Sequence, residues 1–350
     1  MTVSILINNY NYARFVTQAI DSALTQTWRD CRVVVVDDGS TDDSWSLLQR
    51  YDTATLRHRV TLVRQDNAGQ GSAYNAGWAM NDREFVLFLD ADDLLDPTTV
   101  EQAMAAVRSG SGAAPINTVS WRMRLIDRNG APCGGTTPYL LHTGDVLPVI
   151  RRFGHYAGPP ASGNLYRARA IEKMFPLPTA DWRRAADTVP FIAAPMSGRV
   201  AALARTLGSY RLHRSARAGV FGNVDASLRS ALLIAEKRRH NVLALLRLRM
   251  NIDLPGPFLP VPWLLRIRAL SWRLERAQHP FEDDTPARIL ALQRASLAEW
   301  PGYLPTEKLL MQAWVAAALY LPRPLLPSMA ATGTSGAAKA AVKRLTGGAR

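Results

Sequence analysis

The stretch Phe85-Val86-Leu87-Phe88-Leu89-Asp90-Ala91-Asp92-Asp93 joins five consecutive apolar residues to a tight acidic cluster. An apolar run of this length bounded by polar residues reads as a strand buried on both faces. Alternation along an extended chain puts Asp90 and Asp92 on one side, so two carboxylates face a common point. Like charges held this close are costly unless a cation sits between them, and hard oxygen ligands suit Mg²⁺ or Mn²⁺. The same aspartates could instead serve only to end the strand and open the helix that Asp96-Pro97 introduces as an N-cap and first-turn pair.

Three further runs of strand length precede this one: Val3 to Ile7, Arg32 to Val36 and Val60 to Arg64. Between the first two, Phe15, Ala19, Ile20, Ala23 and Leu24 fall on one helical face. The order is therefore β-α-β-α, which predicts an α/β fold with a mainly parallel sheet flanked by helices. In such sheets ligands gather at the carboxyl ends of the strands. Each run does end in a polar cluster: Asn8-Asn9-Tyr10-Asn11, Asp37-Asp38-Gly39-Ser40, Asp66-Asn67 and Asp90-Ala91-Asp92-Asp93. Ser40 with Asp43 three residues later reads as a capping box before Trp45 to Leu48.

These four blocks, in this order and approximate spacing, with Asn67-Ala68-Gly69 followed by Asn75-Ala76-Gly77, resemble the family 2 glycosyltransferases, whose fold is GT-A. The resemblance covers residues 1 to about 220. It implies an inverting transferase that uses a nucleotide-diphosphate sugar, with UDP favoured by the resemblance, and Mn²⁺ or Mg²⁺. Carried over residue by residue, it implies a nucleotide site of Asn8, Tyr10, Asp38, Asn67 and Asp90. Tyr10 would lie beside the base, unless its ring merely packs, and Asp38 would hydrogen-bond the base. Asp92 and His213 would meet the metal. Asp187, with Gly198 eleven residues on and Tyr210-Arg211-Leu212-His213 starting twenty-three on, matches the acceptor-side block and becomes the catalytic base. Relatives often carry an acid just before that aspartate; here it is Ala186, and Asp181 beside Trp182 competes for the role. Ser162, Gly163, Asp93 and Arg211 are expected at the donor sugar or acceptor.

Two other function classes compete with this one. Gly69-Gln70-Gly71 opens a helix about twenty residues before Asp90, as in an NAD-dependent oxidoreductase, but Tyr74 occupies the position where close helix packing requires Gly or Ala. The formal charge of +13 suggests a basic nucleic-acid or membrane-binding module. Its excess sits late: residues 1–224 hold 24 Lys+Arg against 20 Asp+Glu, and 225–350 hold 18 against 9. No zinc, RRM-like or KH-like signature accompanies it, so nucleic acid is not expected.

A hydrophobic content of 47% supports a real core. Cys31 and Cys133 lie outside any metal spacing. Met1 to Ile7 enters a β-branched stretch with no basic leader, which reads as cytoplasmic. The longest late apolar run, Leu309 to Leu321, is shorter than the about 20 residues a span needs. With Pro262-Trp263-Leu264-Leu265-Arg266, it is a candidate for peripheral contact with the inner membrane face. The expected organisation is a GT-A catalytic domain over 1–224, with a nucleotide-binding half at 1–110 and an acceptor-binding half at 111–224. A basic α-helical C-terminal extension over 225–329 and a flexible basic tail over 330–350 complete it.

Overall fold

The computed structural model describes residues 1–110, 112, 114–213 and 227–326; the expected tail at 330–350 lies outside the described residues. Strands β1 (Val3–Asn9), β2 (Cys31–Asp38), β3 (Val60–Gln65) and β4 (Phe85–Asp90) alternate with helices α1 (Val16–Leu24), α2 (Ser44–Leu48) and α3 (Gln70–Ala79). The two-residue β5 (Leu94–Leu95) and α4 (Thr99–Ser109) follow. The second half supplies β6 (Ile116–Ile126), β7 (Pro132–Thr137), α5 (Leu147–Phe153), β8 (Asn164–Arg167), α6 (Ala168–Ile171), α7 (Thr188–Ala193) and β9 (Arg199–Arg211). All strands join one sheet in the order β3-β2-β1-β4-β8-β6-β9-β5, with β7 paired to β6.

The first four strands are mutually parallel, as expected of βαβ units. Beyond β4 the sheet becomes mixed: β8 runs antiparallel to both β4 and β6, while β9 runs parallel to β6. Strand alternation divides the core. Leu6, Val34, Val36, Val86 and Phe88 point to one face and pack with α3, α7 and the helix at 228–250. Ile5, Ile7, Val33, Val35, Leu87 and Leu89 point to the other and pack with α1 and α4. Fully burying one such side chain contributes about 1.5–3 kcal/mol, so a one-residue register slip in β2 would forfeit both layers.

Two local expectations are corrected. Helix α2 begins at Ser44 after Asp43, with no side-chain cap, because Ser40 is buried and bonded elsewhere. Helix α4 begins at Thr99 rather than beside Asp96-Pro97. There the Asp96 carboxylate grips Arg124 at 2.6 and 2.8 Å, while the Asp96 carbonyl accepts from the Thr99 amide and hydroxyl. An Arg fork on a carboxylate is stronger than a cap bond and decides where the helix starts.

The C-terminal region is helical: α8 (Leu228–Met250), α9 (Pro262–Leu274), α10 (Pro286–Glu299) and α11 (Pro305–Tyr320). Val242, Leu245 and Leu246 of α8 join the α/β core itself. Helices α9, α10 and α11 form their own cluster around Leu270, Ile289 and Val315. Trp300 links this bundle to Phe153 of α5, ring centroids 4.8 Å apart. Within the bundle, Arg268 holds Asp284 at 2.5 and 2.6 Å, and His279 bridges Asp284 to Ser271. Ser271 is wholly buried, so this string staples the 276–285 connection to α9 and offers no nucleophile. Among the described residues no helix is long and apolar enough to cross a membrane.

Candidate functional site

Sheet register builds the site. Residue Asn8 of β1 lies opposite Asp90 of β4, and Asn9 lies opposite Asp37 of β2, so the polar clusters form one carboxyl edge. At its centre is the turn Asp90-Ala91-Asp92-Asp93. The Ser162 hydroxyl donates to Asp93 Oδ2 at 2.7 Å and accepts from the Asp90 amide at 3.1 Å. The Arg211 amide donates to Asp93 Oδ1 at 2.9 Å. Burial, then the neighbouring Asp92, pushes the carboxyls of Asp90 and Asp93 well above the usual range. A crowd of acids of this kind is what a divalent cation would relieve.

The end of β9 meets the acid turn. His213 Nε2 sits 2.5 Å from Asp92 Oδ2, its ring edge-on to Tyr12 and Phe15 at 5.5 and 5.6 Å. The Tyr12 hydroxyl is pushed up to about 12 by burial and by Asp92, Asp90 and Asp93. Tyr12 therefore belongs to the site, a residue the sequence reading passed over in favour of Tyr10, which is exposed on the same loop. Arg211 is buried and spans the floor: Nε donates to the Asp92 carbonyl at 2.8 Å and Nη1 to the Asp127 carbonyl at 3.3 Å. Ser162 and Gly163 are also buried. Ser162 and Arg211 bond the acid turn from within, and Gly163 is buried beside Ser162.

On the nucleotide side, the two consecutive aspartates divide the work. Asp37 is buried and accepts from Asn9 at 2.8 Å and from the Ser40 hydroxyl at 2.5 Å. Ser40 in turn accepts from the Asn11 amide, which fixes the loop after β1. Asp38 holds the loop after β3: Oδ1 accepts from Gln65 at 2.6 Å and the Ala68 amide at 2.9 Å, and Oδ2 from Asn67 at 3.2 Å and the Gly69 amide at 2.8 Å. Four donors fill the acceptor capacity of a carboxylate. Asp38 thus shapes the wall on which Asn67 stands, and one of the two side-chain amides must yield before a base can pair with it.

The start of α3 explains the paired glycines. The Gln70 and Gly71 amides donate to the carbonyls of Arg183 and Trp182 at 3.0 and 2.7 Å. A Cβ on Gly71 would meet the Trp182 carbonyl oxygen at 2.7 Å, and one on Gly69, at φ +89°, would meet the Arg183 backbone at 2.7 Å. The helix end that a dinucleotide would need is consumed by the chain itself. That removes the physical basis of the oxidoreductase reading.

The same crossing delivers the acceptor-side acid. The Gln70 side chain accepts from the Ala186 amide at 2.9 Å, and Ala185 adopts φ 58°, a left-handed geometry rare for alanine. Asp187 follows at the start of α7, its carboxyl raised by burial. Its charge acts on Asp90, Tyr74 and Tyr166, which puts it within electrostatic reach of the acid turn. Asp181 is exposed and enters none of these interactions.

Among the described residues no three His, Cys, Asp or Glu side chains converge as a ready-made metal cage. Asp92 and His213, in contact with each other, could supply a two-ligand edge. This fits an ion whose remaining positions come from water and phosphate oxygens, as Mg²⁺ commonly binds.

Comparison with known proteins agrees with this architecture. Residues 4–131 match the family described as glycosyl transferase family 2. An uncharacterized glycosyltransferase of Nostoc sp., alr2836, is 34% identical over 215 residues, covering 61% of this chain and 65% of that protein. Chondroitin synthase of Escherichia coli is 37% identical over 128 residues, 37% of this chain and 18% of its own length. The chain therefore spans less than two thirds of the length of either relative. The crystal structure of S. aureus TarS 1–349 in complex with UDP shares the fold, with TM-score 0.52 at 17% identity, covering 97% of this chain and 92% of that one. All four strand-end blocks lie inside the matched region, so residues 4–131 are similar to glycosyl transferase family 2.

Proposed function

We propose that this chain is an inverting glycosyltransferase that moves a sugar from a nucleotide-diphosphate donor to a hydroxyl of a glycan or lipid-linked acceptor. The observation that supports the reading is that Asp187, on a separate element 97 positions from Asp90 in the chain, lies near enough to the acid turn for its charge to act on Asp90. UDP is the first nucleotide to test, since a protein of the same fold binds it. Residues 1–224 with α8 packed on them are the catalytic unit, and α9 to α11 the extension.

In this reading Asn8, Tyr10, Asn67 and Asp90 receive the nucleoside, with Asp38 holding their wall and reaching the base if an amide yields. Asp92 and His213 hold Mn²⁺ or Mg²⁺. Bound there, the ion would stabilise the charge that develops on the leaving diphosphate. Asp187 takes the proton from the acceptor hydroxyl as that oxygen attacks the anomeric carbon. The C–O bond to the diphosphate breaks, and configuration inverts. A base with a raised carboxyl is suited to the task, because it holds the proton more firmly than an ordinary carboxylate.

The test is sugar-nucleotide turnover by Asp187→Asn. General base catalysis is typically worth ~10²–10⁴-fold, so turnover should fall by that order while UDP binding survives. Unchanged turnover would refute the base.

Contact with the inner membrane face is part of the proposal, supported by α11. Leu304, Leu309, Leu310 and Tyr320 are exposed there at 63, 66, 47 and 64%. Apolar side chains beside a basic region suit an interface. Co-sedimentation of the full chain with anionic vesicles should weaken in Leu309→Ser/Leu310→Ser; equal sedimentation would exclude this face.

A further inference from the structure

Helix α8 brings one cation to the base. Arg238 lies one turn before Val242 and two before Leu245, on the face that packs into the α/β core against α7. Asp187 stands at the start of α7. Arg238 is half-buried, yet among the described residues it makes no hydrogen bond or ion pair. It feels the charge of Asp187 without bonding to it. Half-buried, the guanidinium keeps only part of its hydration, and its fork matches the oxygens of a phosphate or carboxylate.

The chemistry sharpens the point. When Asp187 accepts the acceptor proton it loses its charge, and with it the one carboxylate that acts on Arg238. An anionic group on the acceptor would then take the place of that charge beside the guanidinium. Two more cations, Arg183 and Arg184, are exposed on the segment just before Asp187. The net charge of +13 points to an anionic partner as well.

We infer that Arg238 pairs with an anionic group, phosphate or carboxylate, on the acceptor that Asp187 deprotonates. The inference rests on the acceptor-side reading of Asp187. It makes α8 part of the binding site and restricts the substrate class to negatively charged acceptors. Arg238 selects the acceptor; Asp187 performs the proton transfer.

The test is binding of glycerol 3-phosphate and of glucuronate to the full chain saturated with UDP and Mn²⁺, with glycerol and glucose as neutral counterparts. One anion should bind where its neutral counterpart does not, and which one binds distinguishes phosphate from carboxylate. Losing a charged hydrogen-bond pair weakens binding about tenfold or more, so Arg238→Gln should show that loss. Arg238→Lys should retain part of the affinity, and Arg288→Gln, a surface control, all of it. Thermal melts of each variant verify folding. Equal anion binding by the parent and Arg238→Gln, or no anion binding by the folded parent, overturns the inference. Asp187→Asn separates the two readings: it should keep anion binding while transfer falls, and unchanged transfer would sink the base but leave the binding result to judge Arg238.

Discussion

His213 Nε2 and Asp92 Oδ2 lie 2.5 Å apart, joining the end of β9 to the turn after β4 across 121 sequence positions. The contact closes the site, because β5 of the acid turn also pairs with β9 at Leu94–Ser209 and Leu95–Gly208. The sheet's last strand thereby carries the one histidine that faces the acid turn among the described residues.

If this pair is the protein's edge of a metal site, Asp92→Asn should weaken Mn²⁺-dependent UDP binding about tenfold or more. Calorimetric titration with and without chelator checks it. A variant that binds UDP as the parent does would remove Asp92 from the metal.

Asp187 should leave a signature in stability. Its folded carboxyl is raised by burial above the unfolded value of about 3.9. The protonated form is favoured in the fold, so its contribution is full below the unfolded pKa and is lost as pH rises through the folded pKa. Asp187→Asn cannot ionise, and should therefore gain stability relative to the parent as pH is raised from about 4 towards neutrality. Urea melts of both proteins across that range provide the measurement; parallel pH profiles would contradict it.

Gly71 is fixed by the crossing of residues 182–183. A Cβ there would meet backbone 2.7 Å away, which cannot give as a flexible side chain could. Gly71→Ala should cost about 1–3 kcal/mol by overpacking, and should lower turnover further by displacing Asp187. Urea melts and turnover on the same preparation separate the two effects.

The first ninety residues were readable because their strands are apolar on both faces and end in polar clusters, so period and punctuation coincide. The runs at Val3, Arg32, Val60 and Phe85 match β1 to β4 to within two residues at each end. Less was legible where a side chain's partner is remote. Ser40 looks like a cap from its neighbours, yet Asn9, Asn11 and Asp37 claim it. Tyr12 is ordinary in sequence and enters the site through His213. Arg238 lies among six cationic residues of α8, and helical period says which one faces inward but not that α7 waits there. Antiparallel pairing of β8 leaves no local trace either, since Leu165 and Tyr166 are buried on both faces as a parallel strand would be.

Thermal stability of the full chain with UDP, GDP, dTDP and NAD, each with and without Mn²⁺, tests the central claim most directly. A ligand at 100 times its Kd adds about 2.7 kcal/mol, a readily measured shift. The account predicts a rise with UDP that requires Mn²⁺ and is lost in Asp92→Asn. A rise with NAD alone, or a UDP shift indifferent to Mn²⁺ and to Asp92, would contradict it.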